Sequence, residues 1–194
     1  MTKSIDFFFD IISPYSYIAH KKIEKITKKK NILFNYKPIL LGGLHKLAEI
    51  IPPAFNEFKM SNMKNDCELI SNKNRIPFKW NEKFPINSIS IMRGYLFVDE
   101  KQKEQYLNTF FDAYWKYNQD LSLQSNFNNN AEKLNIDPLT LQKGIKNENI
   151  KEKLKQLTNK AFSKKIFGAP TFVCNEKIFW GQDRLEYAID EYLK

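Results

Sequence analysis

The sequence predicts an α/β fold, and three observations predict it. An apolar run over residues 7–12 stops at Ser13-Pro14 and passes at once into a helical pattern. A second apolar run, residues 171–174, begins directly behind Pro170; a short polar turn and a further apolar run at 178–180 follow it. Between these ends, about residues 44–162 carry helical periodicity. The chain therefore opens strand–helix–strand and closes hairpin–helix, with a helical middle.

Each element has its reason. Asp10 interrupts the first apolar run and Asp6 precedes it, so the run is a strand and neither a signal-peptide core nor a membrane span. Ser13 suits a helix N-cap, and Pro14 suits the first helical position, where a missing N–H costs nothing. Free N–H groups and the positive end of the helix dipole then face whatever lies beside Ser13, and an anion such as a thiolate is stabilised there. A plain cap is the competing reading of the same serine. Residues 32–36 read as the second strand. In the middle, residues 89–98, 105–117 and 148–162 show helical spacing, and Asp137-Pro138 starts another helix. Residues 126–130, rich in asparagine, read as a loop before a helix from Ala131. Pro170 belongs at a strand's first residue and is a candidate for a cis bond. Asn175-Glu176-Lys177 reads as the hairpin turn, and residues 185–193 form an amphipathic helix with Asp183 near its N-terminus.

Composition narrows the function. A chain of 194 residues is long enough for one sizeable core. The net charge of +9 comes mostly from lysines scattered over polar faces; Lys28-Lys29-Lys30 and Lys164-Lys165 sit where helices end. That distribution argues against nucleic acid as the partner, while a basic surface still attracts small anions. The two cysteines, Cys67 and Cys174, have no metal-ligand spacing and read as buried thiols, so no metal is expected. His20 and His45 read as structural. A cytoplasmic location is the default expectation.

The order of elements is that of a thioredoxin-type fold with an insertion. The motifs Ser13-Pro14-Tyr15-Ser16-Tyr17, Gly168-Ala169-Pro170-Thr171-Phe172 and Trp180-Gly181-Gln182-Asp183-Arg184-Leu185 together resemble the 2-hydroxychromene-2-carboxylate isomerase family, a DsbA-like, glutathione-dependent group related to the kappa-class glutathione transferases. Lys37-Pro38-Ile39-Leu40-Leu41-Gly42-Gly43, Pro52-Pro53-Ala54 with Lys59, and Phe84-Pro85-Ile86-Asn87-Ser88 extend the resemblance nearly end to end. It implies a thioredoxin-like core from residues 1–43 and 163–194, a helical insertion over 44–162, one compact unit and a homodimer.

The site residues follow from the same resemblance. A disulfide oxidoreductase of this fold needs a cysteine at the helix start. Serine there excludes dithiol exchange, yet a hydroxyl can donate to an external thiolate. By resemblance, Ser13 holds the glutathione thiol, the backbone at Ala169 and Pro170 pairs with the cysteinyl unit, and Gln182 and Asp183 take the γ-glutamyl end. Lys59 matches a lysine near the glycyl carboxylate, with a solvated surface lysine as the plain alternative; for Asp183 the plain alternative is helix capping. Tyr15 and Pro53 are placed at the second-substrate pocket, and Tyr17 reads equally as core.

The implied reaction is a cis–trans isomerisation through reversible addition of the thiolate to an unsaturated aromatic keto acid or chromene carboxylate. Ile51 and Leu69 depart from the family pattern, standing where Asn and Arg are frequent, which weakens the substrate assignment more than the glutathione site. A kappa-type glutathione transferase or peroxidase is the second reading. A non-catalytic thioredoxin-fold module binding peptides along the Pro170 edge is the third.

Overall fold

The computed structural model describes residues 3–194. Strand β1 (Ile5–Phe9) lies inside a four-stranded sheet of order β2-β1-β3-β4, where β2 is Phe34–Pro38, β3 is Thr171–Cys174 and β4 is Lys177–Trp180. β1 runs parallel to β2 and antiparallel to β3, and β3 runs antiparallel to β4. Helix α1 (Pro14–Thr27) makes the crossover between the parallel pair. β2 starts two residues later than residues 32–36 suggested, because Ile32 is drawn into the core as part of the connection.

The side-chain period of two explains why β1 is apolar on both faces. Phe7 and Phe9 point to the larger core, where Phe7 stacks on Phe172 at 5.3 Å and meets Tyr36 edge-on at 5.1 Å. Phe8 points the other way, into a smaller cluster with Ile39, Leu44, Ala161 and Ile166. Burial of each such phenylalanine contributes about 1.5–3 kcal/mol. The second face is covered by α2 (Leu41–Leu47) and α8 (Glu148–Ser163).

Five further helices complete the middle: α3 (Glu57–Lys73), α4 (Ile89–Phe97), α5 (Lys103–Trp115), α6 (Gln124–Glu132) and α7 (Pro138–Lys146). The last helix is α9 (Leu185–Leu193). α5 carries the densest apolar face: Tyr106, Phe110, Phe111, Tyr114 and Trp115 are fully buried. α6 corrects the expected loop at 126–130. Phe127 and Ala131 are buried one turn apart, and Asn130 Nδ2 donates to the Gln119 side chain and to the Asn126 carbonyl. Tertiary partners thus satisfy asparagines whose local preference is for turns.

Candidate active site

Residues 10–13 join β1 to α1, and their polar atoms are tied down from several sides. Ile11 N–H points at the Met92 sulfur, and the Ile11 carbonyl accepts from Trp115 Nε1 at 2.8 Å. The fully buried Asp10 carboxylate accepts from Ile12 N (3.1 Å), Leu41 N (2.8 Å) and Ser88 Oγ (3.0 Å). Burial raises its pKa to about 6, and those hydrogen bonds oppose the rise. This platform fixes Ser13, the N-cap of α1, with Pro14 following. Ser13 Oγ accepts from Ser16 N at 3.1 Å and donates to the Ala169 carbonyl at 2.9 Å. The plain reading of Ser13 as a cap therefore holds. In addition, its proton faces across the chain to the segment before Pro170.

That segment forms the opposite wall. The Ala169-Pro170 peptide is cis, and the Pro170 carbonyl accepts from Gly181 N. β3 and β4 turn through Asn175 and Glu176, both at positive φ, which matches a two-residue hairpin loop. Lys177 belongs to β4 and not to the turn. Gly181 has φ +114°, a region that side-chain-bearing residues rarely adopt, and it swings the chain from β4 into the 3₁₀ turn Gln182–Arg184. Gln182 is buried and accepts from Lys22 Nζ at 2.5 Å; Asp183 is exposed and pairs with Arg184 at 3.1 Å.

α3 supplies a third wall. Lys59, Met63, Asp66 and Ile70 recur at helical spacing and all face the same cleft. Asp66 accepts from the Tyr15 hydroxyl at 2.8 Å. Burial, with Cys67 and Asp66 adding, pushes the Tyr15 hydroxyl well above its usual range, so it stays a donor. The Cys67 thiol is likewise pushed up by burial and is no thiolate. Lys59 makes no ion pair among the described residues.

These walls enclose a cleft of about 1300 Å³. The eight residues assigned to the site from the resemblance line it: Ser13, Tyr15, Pro53, Lys59, Ala169, Pro170, Gln182 and Asp183. Tyr17 does not. It is fully buried and donates to the Pro77 carbonyl, so it belongs to the core. His20 is buried between Tyr36 and Asn108, as a structural histidine should be, whereas His45 lines the cleft. Of the two departures, Ile51 sits exposed at the mouth and Leu69 lies outside.

The family model for the DSBA-like thioredoxin domain matches residues 4–193. The chain belongs to this family. It is 27% identical, over 195 residues, to 2-hydroxychromene-2-carboxylate isomerase of Sphingobium xenophagum, an alignment spanning 100% of this chain and 99% of that one. It is also 27% identical to glutathione S-transferase kappa 1 of Caenorhabditis elegans over 96% of this chain and 89% of the relative. A solved structure of a 2-hydroxychromene-2-carboxylate isomerase superposes with a TM-score of 0.87 at 25% identity, covering 96% of this chain and 92% of that one. The expected α/β, DsbA-like thioredoxin fold is the fold observed, and the relatives are isomerases and glutathione transferases.

In this DSBA-like domain the α1 start carries serine, and both cysteines are buried elsewhere. The Ser13 hydroxyl lies at a helix N-terminus, an unpaired Lys59 stands on one wall, and the Gln182 amide nitrogen has no protein partner among the described residues. Three contributors escaped sequence reading: Asp10, Asp66 and Lys22. Each acts through a partner 31 to 160 positions away, and nothing local marks it.

Proposed function

We propose that the protein is a glutathione-dependent isomerase acting on an unsaturated aromatic keto acid or chromene carboxylate. One observation carries the reading: a serine hydroxyl, not a thiol, occupies the N-cap of α1 inside a cleft shared with Lys59, Ala169, Gln182 and Asp183. Bound glutathione would supply a thiolate that adds reversibly to a conjugated carbon and is returned after rotation about the resulting single bond. Ser13 serves that thiolate by donating its hydroxyl proton, turned from the Ala169 carbonyl, with the α1 dipole adding to the effect. Gln182 and Asp183 hold the γ-glutamyl end, and Lys59 draws the glycyl carboxylate. Tyr15 and Pro53, with Met63 and Ile70 of α3, leave room for a planar electrophile.

The test is calorimetric titration of glutathione into wild type and Ser13→Ala, with thiolate absorbance followed in both. Binding by wild type, with a thiolate signal lost in Ser13→Ala, is the expected result. Turnover of a chromene carboxylate with free thiol conserved then identifies the isomerase. Loss of thiol instead favours the transferase reading, which the similarity to glutathione S-transferase kappa 1 supports. Absence of glutathione binding at millimolar concentration would overturn both and leave the peptide-binding module.

A further inference from the structure

Gln182 is the one neutral amide side chain on the wall formed by the turn after β4. It is buried, with 7% of its surface exposed, and it lines the cleft. An amide carries an acceptor at one end and two donors at the other, so its orientation decides what it offers a ligand. Lys22 decides that orientation. An ammonium has donors only, and Lys22 Nζ lies 2.5 Å from Gln182 Oε1. The acceptor end is thereby occupied. Nε2 is left without a partner among the described residues, and it is not sealed from solvent. Lys22 projects from the third turn of α1, the same helix that Ser13 caps, and lies half-buried outside the cleft lining. Glu186, Asp183 and Lys73 are the charged groups around it; the two carboxylates favour its ammonium form, which burial and Lys73 oppose.

We propose that Lys22 is a positioning residue: by holding Gln182 Oε1 it presents the Gln182 NH₂ group to a carboxylate of the cleft's ligand. The inference rests on the glutathione reading and adds a specificity to it. The ligand must bring an anionic oxygen, and not an ammonium or a carbonyl-seeking donor, to this corner. The ammonium of Lys22 also sets a positive charge directly behind the amide, strengthening its donors. A flipped amide, Oε1 inward, would repel the same carboxylate.

The test compares two ligands on three proteins. The ligands are glutathione and 4-aminobutyryl-cysteinylglycine, which lacks the γ-glutamyl α-carboxylate; the proteins are wild type, Lys22→Met and Lys22→Arg. Lys22→Met is expected to weaken glutathione about tenfold, the effect of one lost charge-assisted hydrogen bond. It should change binding of the decarboxylated analogue less than about twofold. Lys22→Arg, which still donates to Oε1, should restore most of the glutathione affinity. Equal losses for both ligands would show that Lys22 only braces the turn against α1 and would overturn the proposal. So would unchanged glutathione binding in Lys22→Met. Failure of wild type to bind either ligand would overturn the glutathione reading itself, a result distinct from both.

Discussion

Asp10 accepts the amide hydrogen of Leu41 at 2.8 Å, and through this bond the end of β1 holds the start of α2. The same carboxylate takes the Ser88 hydroxyl and the Ile12 amide. Ile12, Leu41 and Ser88 all line the cleft, so one buried acid ties together three segments of its lining.

Asp10 makes the fold pH-sensitive in a specific direction. Its pKa is raised by burial from 3.8 to about 6. A raised value means that the native state binds the proton more tightly than the unfolded chain, so the contribution is fully present below about 3.8 and is lost as pH rises through about 6. The loss is on the order of 2–3 kcal/mol. Urea denaturation at pH 4 to 7 should show the stability difference between wild type and the less stable Asp10→Asn shrinking as pH rises. Parallel wild-type and mutant curves would contradict it.

His20 acts in the opposite sense over the same range. Burial holds its imidazole well below the usual value, as a neutral ring between the Tyr36 hydroxyl and the Asn108 carbonyl oxygen. Its contribution is present above about 6.5 and is lost as pH falls, because the unfolded ring takes up a proton first. In wild type the two slopes offset each other. His20→Gln should therefore leave Asp10 exposed to view, with stability falling as pH rises from 4 to 6. A titration of both single mutants and the double mutant by denaturation checks this.

Capping and chemistry at Ser13 can be separated. Ser13→Ala loses the acceptor for Ser16 N and should cost about 1 kcal/mol. Ser13→Asp keeps a capping oxygen but places a negative charge beside the thiol site. A carboxylate cannot donate to the Ala169 carbonyl, so the variant should keep the cap, lose that bond and abolish glutathione binding. Retained binding in Ser13→Asp would remove the thiolate from this position.

Lys59 tests long-range attraction. Its ammonium has no ion-pair partner among the described residues, and its Cα lies in the first turn of α3. Lys59→Met should weaken glutathione about threefold at low ionic strength, with the difference vanishing near 0.5 M salt. A loss that persists in salt would indicate a direct, desolvated contact instead.

Gly144 reports on the helical layer. A methyl group added there would fall inside the Phe97 ring where α7 crosses α4. Gly144→Ala should cost about 1–3 kcal/mol although alanine favours helices. Thermal unfolding measures the loss directly.

The comparison of sequence with structure separates local from distant causes. Ser13-Pro14 and Gly168-Ala169-Pro170 were legible because capping, a first-turn proline and a strand-starting proline act within a few residues. The contribution of Asp10 was not, since an acid inside an apolar run reads only as an interruption until Leu41 and Ser88 arrive from 31 and 78 positions away. α6 was misread for the same reason. Asn130 is at home in a helix only because Gln119 meets it. The α3 face at 59, 63, 66 and 70 was not read from the sequence, where two charged and two apolar residues do not tell which neighbour a face will meet.

The bond from Ser13 to Ala169 joins residues 156 positions apart. During synthesis, α1 and its hydroxyl leave the ribosome early, yet the wall that completes the cleft is still untranslated. A chain halted before residues 167–184 carries Ser13 and Lys59 but lacks the Ala169 carbonyl and the Gln182 amide of the facing wall. The cleft is therefore completed only at the end of each molecule's synthesis, however early its first wall is made.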